Sequence, residues 1–306
     1  MCRVLTSQLV LGLALLFGLS CPGCSGESKS VREARRYLSL EQNQPAIDVL
    51  GGDKSGEACY LRAIGLFRLQ LKDAGLEQAQ AAVDAKPDEP KYQAYLMRMK
   101  LLLNPEASEK QAAELIKFTE AHPSKAAFAL FSTGAYVLRQ DLNRARTGFQ
   151  TAVSLADQIP EFWPELLNLA MDVGDFKTAE SIIQKIDKVS PNEPFIQKQR
   201  VLLLAATGDA DQATSLAKSL YEEGEQSGDL AMLYAQALIN GTPGPELDEK
   251  LTELVNRHPS QAGLLILYAT YLGKSNRLNV ALDQLNKVMD TQPLELKKAL
   301  APVLCM

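Results

Sequence analysis

Residues 174–179 read Gly-Asp-Phe-Lys-Thr-Ala and residues 208–213 read Gly-Asp-Ala-Asp-Gln-Ala, so Gly-Asp returns after 34 residues with alanine in the same place behind it. One period earlier stand Asp141-Leu142 with Ala145, and two periods beyond Ala213 stands Ala281, behind Arg277-Leu278. Pro123, Pro191, Pro259 and Pro293 keep the same beat, separated by 68, 68 and 34 residues. A sustained period of this length marks a repeat array, in which each unit buries its apolar stripe only by stacking on its neighbours.

Within each period apolar residues recur at three and four, the spacing of an amphipathic helix. Gly174 and Gly208 are placed to end one helix in the left-handed conformation, and Asp175 and Asp209 to cap the next. Ser124, Asn192 and Ser260 follow boundary prolines as candidate N-caps of the following unit. The small residues Ala145, Ala179, Ala213 and Ala281 let paired helices approach closely. A bulky replacement there is expected to cost about 1–3 kcal/mol by overpacking.

These markers resemble the tetratricopeptide repeat, a helix-turn-helix unit with aromatic, Leu, small, Tyr, Ala and Pro residues at set places. Frames begin at 92, 126, 160, 194, 228 and 262. The frame at 160 supplies Trp163, Leu166, Ala170, Ala179 and Pro191, and the frame at 126 supplies Tyr136, Ala145, Phe149 and Ala152. The last frame adds Leu265, Ala269, Leu272, Ala281 and Pro293. The resemblance implies an all-α, right-handed superhelical solenoid of stacked helix-turn-helix units.

Six in-phase units are expected over 92–295 and degenerate units over 31–91. Gly65 and Lys72-Asp73 fit a frame starting at 58, yet Pro87 arrives two residues early, which predicts a shortened second helix. A further unit over 31–53 would turn Ala34, Tyr37, Ala46 and Leu50 inward. Residues 296–306 read as a capping helix or the start of another repeat.

The chain has 306 residues, 46% apolar and 23% charged, with a net charge of −5, which excludes a disordered polypeptide and argues against nucleic-acid binding. Its first residues carry an address. Arg3 is the only charge before Glu27, and Leu9 to Leu19 is an unbroken apolar run of signal-peptide length. Counting back to Val4 gives 16 uncharged residues, so an uncleaved anchor, or a plain secretory signal, is the alternative.

Leu19-Ser20-Cys21 resembles the end of a bacterial lipoprotein signal, in which the cysteine is lipidated and becomes the mature N-terminus. Cys21 fits better than Cys24, which would place Pro22 inside the recognition motif. The expected layout is a signal over 1–20 and a short linker over 21–30, with the protein held in the bacterial envelope and facing the periplasm. Cys21 and Cys24 also form a C-x-x-C, readable as a dithiol, although no second ligand pair for zinc follows. Cys59 and Cys305 read as small apolar residues, with a bridge left open by an oxidising compartment.

Little else could carry chemistry. His122 and His258 are 136 residues apart, four periods, and read as equivalent solvated turn residues too distant to share a metal. Glu222-Glu223 and Asp248-Glu249 read as solvated helix faces. Arg32, Arg35 and Arg36 are placed either to touch anionic headgroups or to form a solvated face near Glu33. No cofactor, metal or small-molecule substrate is expected, and no compact polar cluster that would signal an enzyme.

The resemblance implies binding: first helices line a concave groove that holds a segment of a protein partner. Place 5 of the frames reads Leu96, Leu130, Pro164, Lys198, Met232 and Ile266, and place 9 reads Lys100, Gly134, Asn168, Leu202, Gln236 and Thr270. These do not make the lysine and asparagine clamp with which some members grip a carboxyl terminus. The candidate groove is Leu96, Met97, Lys100, Leu130, Phe131, Asn168, Met171, Lys198, Met232 and Gln236, with Ile239 beside it; several of these could instead pack between neighbouring repeats. The expected function is a non-enzymatic scaffold lipoprotein for envelope assembly, most similar to repeat-rich lipoproteins of exopolysaccharide and exosortase systems. A pilotin-like or outer-membrane-assembly lipoprotein, or an accessory regulator of a cell-wall enzyme, is the alternative.

Overall fold

The computed structural model describes residues 27–104, 108–122, 125–241, 246–275 and the single positions 277, 279, 280 and 283. The signal, Cys21, Cys24, Pro123, Ser124, Ala281, Pro293, Cys305 and the 296–306 segment lie outside the described residues.

Among the described residues there are fifteen α-helices and no strand, and the chain is an all-α stack of helix pairs. The pairs are α1 (Lys29–Ser39) with α2 (Asn43–Leu50), α3 (Gly56–Arg68) with α4 (Lys72–Ala85), and α5 (Pro90–Leu103) with α6 (Ser108–Glu120). Then come α7 (Ala126–Leu138) with α8 (Leu142–Ser154), α9 (Trp163–Asp172) with α10 (Phe176–Val189), and α11 (Pro194–Ala206) with α12 (Ala210–Glu223). α13 (Gly228–Asn240) pairs with α14 (Leu247–Arg257), and α15 (Ala262–Lys274) starts the next pair. First helices pack along the stack on one another, α1 on α3, α5 on α7, and α11 on α13 on α15.

The period is kept to the residue. α7, α11, α13 and α15 begin on the frame starts 126, 194, 228 and 262, and α8, α10 and α12 begin 34 apart at 142, 176 and 210. The slip before residue 92 has a different cause from the one expected. α4 is a full 14 residues, so no second helix is shortened at Pro87. α3 and α5 begin 34 apart at Gly56 and Pro90, whereas α4 and α6 begin 36 apart at Lys72 and Ser108. Two extra residues therefore enter across α5 and the turn after it, and Pro87 is in phase with a unit that starts at Gly56. Gly65 does not face α4: a Cβ there would lie 3.1 Å from Ile47 and 3.3 Å from the Asn43 carbonyl, so it is the contact with α2.

Gly174 (φ 71°) and Gly208 (φ 89°) take the left-handed turn conformation expected of them. Glu41, Gln70 and Gln140 hold the same place in other pairs at φ 59–63°, a conformation that costs a residue with a Cβ more than glycine. Asp175 caps α10, its Oδ1 accepting from the Thr178 amide at 3.1 Å and its Oδ2 from the Thr178 hydroxyl at 2.7 Å. Asp209 precedes α12 without such a bond and accepts instead from Gln212 Nε2 at 2.7 Å. Asp175→Ala is therefore expected to lower stability by about 1 kcal/mol and Asp209→Ala by clearly less, read as a difference in denaturation midpoints.

The caps between units differ from expectation. Asn192 is a left-handed turn residue at φ 61°, and Glu193 and Gln261, not Asn192 or Ser260, occupy the N-cap positions of α11 and α15. An N-cap must directly precede the first helical residue, and the turn after the proline is one residue longer than the sequence suggested. Ser28, Ser55 and Ser227 do cap, accepting from the amides of Val31, Ala58 and Leu230.

Ala34, Ala46 and Leu50 are buried and Tyr37 is half-buried, which ties the first pair into the stack. Ala145, Ala179 and Ala213 are buried where paired helices meet. The core forms two clusters that meet in α11: Ile196 and Leu203 belong to the first, and Val201 begins the second, which runs to Leu272.

Candidate functional site

The inner face divides in the same place. In the first half, the 3-10 turn Pro160–Phe162, which leads into α9, packs against α1 four pairs earlier. This brings Glu161, 2% exposed, onto Arg35, with 3.3 Å between Glu161 Oε2 and Arg35 Nε. Arg35 also pairs with Glu27 and, at 2.5 Å, with Glu57. Glu57 accepts from Lys91 Nζ at 2.9 and 3.0 Å and from the Tyr92 hydroxyl at 2.7 Å. Arg68 donates to the Leu38 carbonyl at 2.9 Å and to the Glu161 carbonyl at 2.5 Å, stitching α1, α3 and the 3-10 turn together. Arg98 pairs with Glu165 at the start of α9.

Aromatic rings fill the space between these charges. Tyr60 meets Tyr92 and Tyr95 at 5.4 and 5.2 Å, Tyr95 meets Phe131 at 5.6 Å, and Phe131 meets Phe162 edge-on at 5.4 Å. Lys91 lies over Tyr60 at 4.5 Å and Arg98 over Phe131 at 5.2 Å, within cation–π range. Burial raises the Glu161 carboxyl above its ordinary range, against the pull of Arg35. Glu57 goes the other way: Lys91, Tyr92 and Arg35 together outweigh its burial and hold it below that range. Burial raises the Tyr60 and Tyr95 hydroxyls.

The sequence suggested no compact polar cluster, and the structure assembles one. Arg35, Arg68 and Arg98 come from three successive first helices, and only the return of residues 160–165 supplies Glu161 and Glu165. Each of the carboxylates Glu57, Glu161 and Glu165 sits against an arginine or lysine. The cluster works as an ion-pair seam that closes the first half of the groove.

The second half is more open, and the place-5 series records the change. Leu96, Leu130 and Pro164 are buried, whereas Lys198, Met232 and Ile266 are half-buried. At place 9 Lys100, Gly134, Asn168, Gln236 and Thr270 are exposed and Leu202 is half-buried. Of the remaining candidates, Phe131 is 1% exposed, and Met97, Met171 and Ile239 are half-buried. The Met232 sulfur would lie 2.6 Å from a Cβ on Gly263, so this side chain fills the contact between α13 and α15. Asn168 accepts from Gln199 Nε2 at 3.4 Å across α9 and α11. Lys198 also lines a cleft of 430 Å³ between α11, α12 and α13, with Gln197, Leu220, Glu223 and Leu230.

Several other expectations change. Neither histidine is a freely solvated turn residue. His122 stacks between Phe118 and Phe128 at 5.3 and 5.2 Å, and His258 Nε2 hydrogen-bonds the Tyr221 hydroxyl at 3.0 Å. Both follow the last turn of a second helix, where the ring folds back over apolar neighbours. Arg35 is spent on the seam and is not on a free basic face; Arg32 and Arg36 are exposed. Glu222, Glu223 and Glu249 are exposed, but Asp248 accepts from the Tyr271 hydroxyl at 3.0 Å and pairs with Arg277. Cys59 is a buried free thiol. Among the described residues no group of three His, Cys, Asp or Glu side chains could hold a metal ion, and no helix is long and apolar enough to cross a membrane.

The stacked pairs, their 34-residue phase and the alanines between them form the arrangement that the tetratricopeptide resemblance implied. No family model matches the chain, and no curated protein matches it. Solved structures do. A tetratricopeptide repeat protein from Parabacteroides merdae is similar at 13% identity, over 80% of this chain and 97% of that one, with a TM-score of 0.47. Yeast Tom70 is similar at 14% identity, over 94% of this chain and 65% of that one, with a TM-score of 0.43. TTC0263, a thermophilic TPR protein of Thermus thermophilus, is similar at 18% identity, over 71% of this chain and 98% of that one, with a TM-score of 0.32. The fold assignment rests on the helix pairing and its period, not on these likenesses.

Proposed function

We propose that the chain is a non-enzymatic scaffold that holds a protein partner along the open half of its inner face, on α9, α11, α13 and α15. The observation that carries this reading is the change along place 5, from buried Leu96, Leu130 and Pro164 to half-buried Lys198, Met232 and Ile266. A partner segment laid there meets exposed amide and hydroxyl groups of Asn168, Gln236 and Thr270 beside apolar flanks, a mixture that suits an extended peptide or a helix.

The sequence adds the address. Leu9 to Leu19 followed by Ser20-Cys21 supports a lipoprotein tethered at Cys21, with Cys24 as the other candidate, and a place in bacterial envelope assembly of the exopolysaccharide and exosortase kind.

The test is crosslinking in intact cells and identification of proteins that co-purify with the tagged chain. The double variant Asn168→Arg/Gln236→Arg changes two exposed positions and is expected to keep its helical spectrum and melting temperature while losing at least tenfold of its partner. Capture undiminished by this variant would overturn the inner face as the binding surface. Fatty-acid labelling is expected to vanish in Cys21→Ala and persist in Cys24→Ala; labelling absent from the unaltered protein would overturn the tether.

A further inference from the structure

The first helix pair is joined to the body in two ways of different character. Towards its neighbour it packs conventionally, with Ala46 and Leu50 of α2 buried and Gly65 of α3 set against Ile47. Towards the return of the chain at residues 160–193 its contacts are largely polar. They are the ion pair of Arg35 with Glu161, the bond from Arg68 that spans Leu38 and Glu161, and Gln42 Nε2 donating to Glu193 Oε1 at 2.9 Å.

That seam is incompletely satisfied. Glu161 Oε2 and the Tyr60 hydroxyl are buried without a hydrogen-bond partner, and such groups lose more on leaving water than a bare contact returns. The segment that links the pair to α3 is built to turn. Gly51 sits at φ 46°, Gly52 has nothing within 4 Å of a Cβ position, and Arg62 holds the carbonyls of Gly51 and Asp53 at 2.9 and 3.0 Å. The α3 side of this linker is thus anchored while the pair beyond it is free to swing.

We infer that α1 and α2 form a clasp that detaches as one unit about residues 51–54, uncovering Tyr60, Tyr95 and Phe131 as a further stretch of inner face. In the closed state these rings are at most 3% exposed. In the open state they continue the inner face of α9 to α15 towards the N-terminus, as an aromatic strip flanked by Arg68, Lys91 and Arg98. The inference concerns the chain's own opening and does not depend on the partner or the tether proposed above.

Native-state hydrogen exchange in low denaturant tests it, with hydroxyl-radical footprinting of Tyr95 and Phe131 in parallel. Amides of 31–50 are expected to exchange together, through an opening with a smaller denaturant dependence than that of 126–154. Labelling of Tyr95 and Phe131 is expected to rise with that opening. Glu161→Gln should speed exchange of 31–50 at least tenfold and leave 201–240 unchanged. Gln42→Ala, half-buried at the edge of the seam and harmless to the core, should speed it severalfold in the same segment. Exchange of 31–50 only through the opening that also releases 126–154 would overturn the clasp. So would exchange of 31–50 with Tyr95 and Phe131 still protected.

Discussion

Phe131→Glu is expected to unfold the first half of the array outright, with no selective loss of a partner. Read from its place in the repeat, Phe131 belongs to a groove; in the structure it is 1% exposed, between Tyr95 and Phe162 and under the Arg98 guanidinium. Removing a buried phenylalanine side chain alone costs about 3–5 kcal/mol. A carboxylate in its place must also leave water or take up a proton, at a further cost of several kcal/mol. The sum approaches the whole stability of an ordinary domain, about 5–15 kcal/mol. Helical signal from the first core cluster should be lost at temperatures where the second, Val201 to Leu272, still melts cooperatively. A variant that melts like the unaltered protein would show that this side chain faces solvent after all. Phe131→Leu keeps most of the apolar volume and should cost only about 1–1.5 kcal/mol.

Arg98→Ala is expected to cost close to 3 kcal/mol, the low end for breaking a buried ion pair. Arg98 and Glu165 are 17% and 28% exposed, so the stranded carboxylate keeps part of its hydration and the upper end does not apply. The guanidinium also covers Phe131 at 5.2 Å and Phe162 at 6.0 Å, and that packing is lost with it. Arg98→Lys retains the charge but not the planar fork, so it should fall between the two. A cycle with Glu165→Ala should return a coupling of about 1–3 kcal/mol; a coupling near zero would reduce the pair to a surface contact.

The two predictions mark where the sequence was legible. The turns at Gly174 and Gly208, the cap at Asp175 and the buried alanines could be located because each depends on residues less than one period away. Asn192 and Ser260 were misplaced by a single turn residue, since the N-cap is defined by where the helix begins and proline marks that point only loosely. The slip near Pro87 was visible but assigned to the wrong element, because a two-residue shift shows its presence in the period without showing which helix absorbs it.

The inner face was hardest to read. Leu96, Leu130 and Met232 hold equivalent places in three units, yet the first two are buried and the third fills a contact beside Gly263. Nothing in one repeat tells how far the stack has turned when the chain comes round again. The amino-acid sequence by itself determined the 34-residue period, the helical class and the contacts within each pair, because hydrophobic periodicity and turn chemistry act over a few neighbouring residues. The tertiary structure alone decided that Arg35 meets Glu161, that the aromatic strip is closed and that α9 to α15 stay more open. Curvature accumulates from a small rotation at every pair, and only its sum brings the first pair onto the fifth.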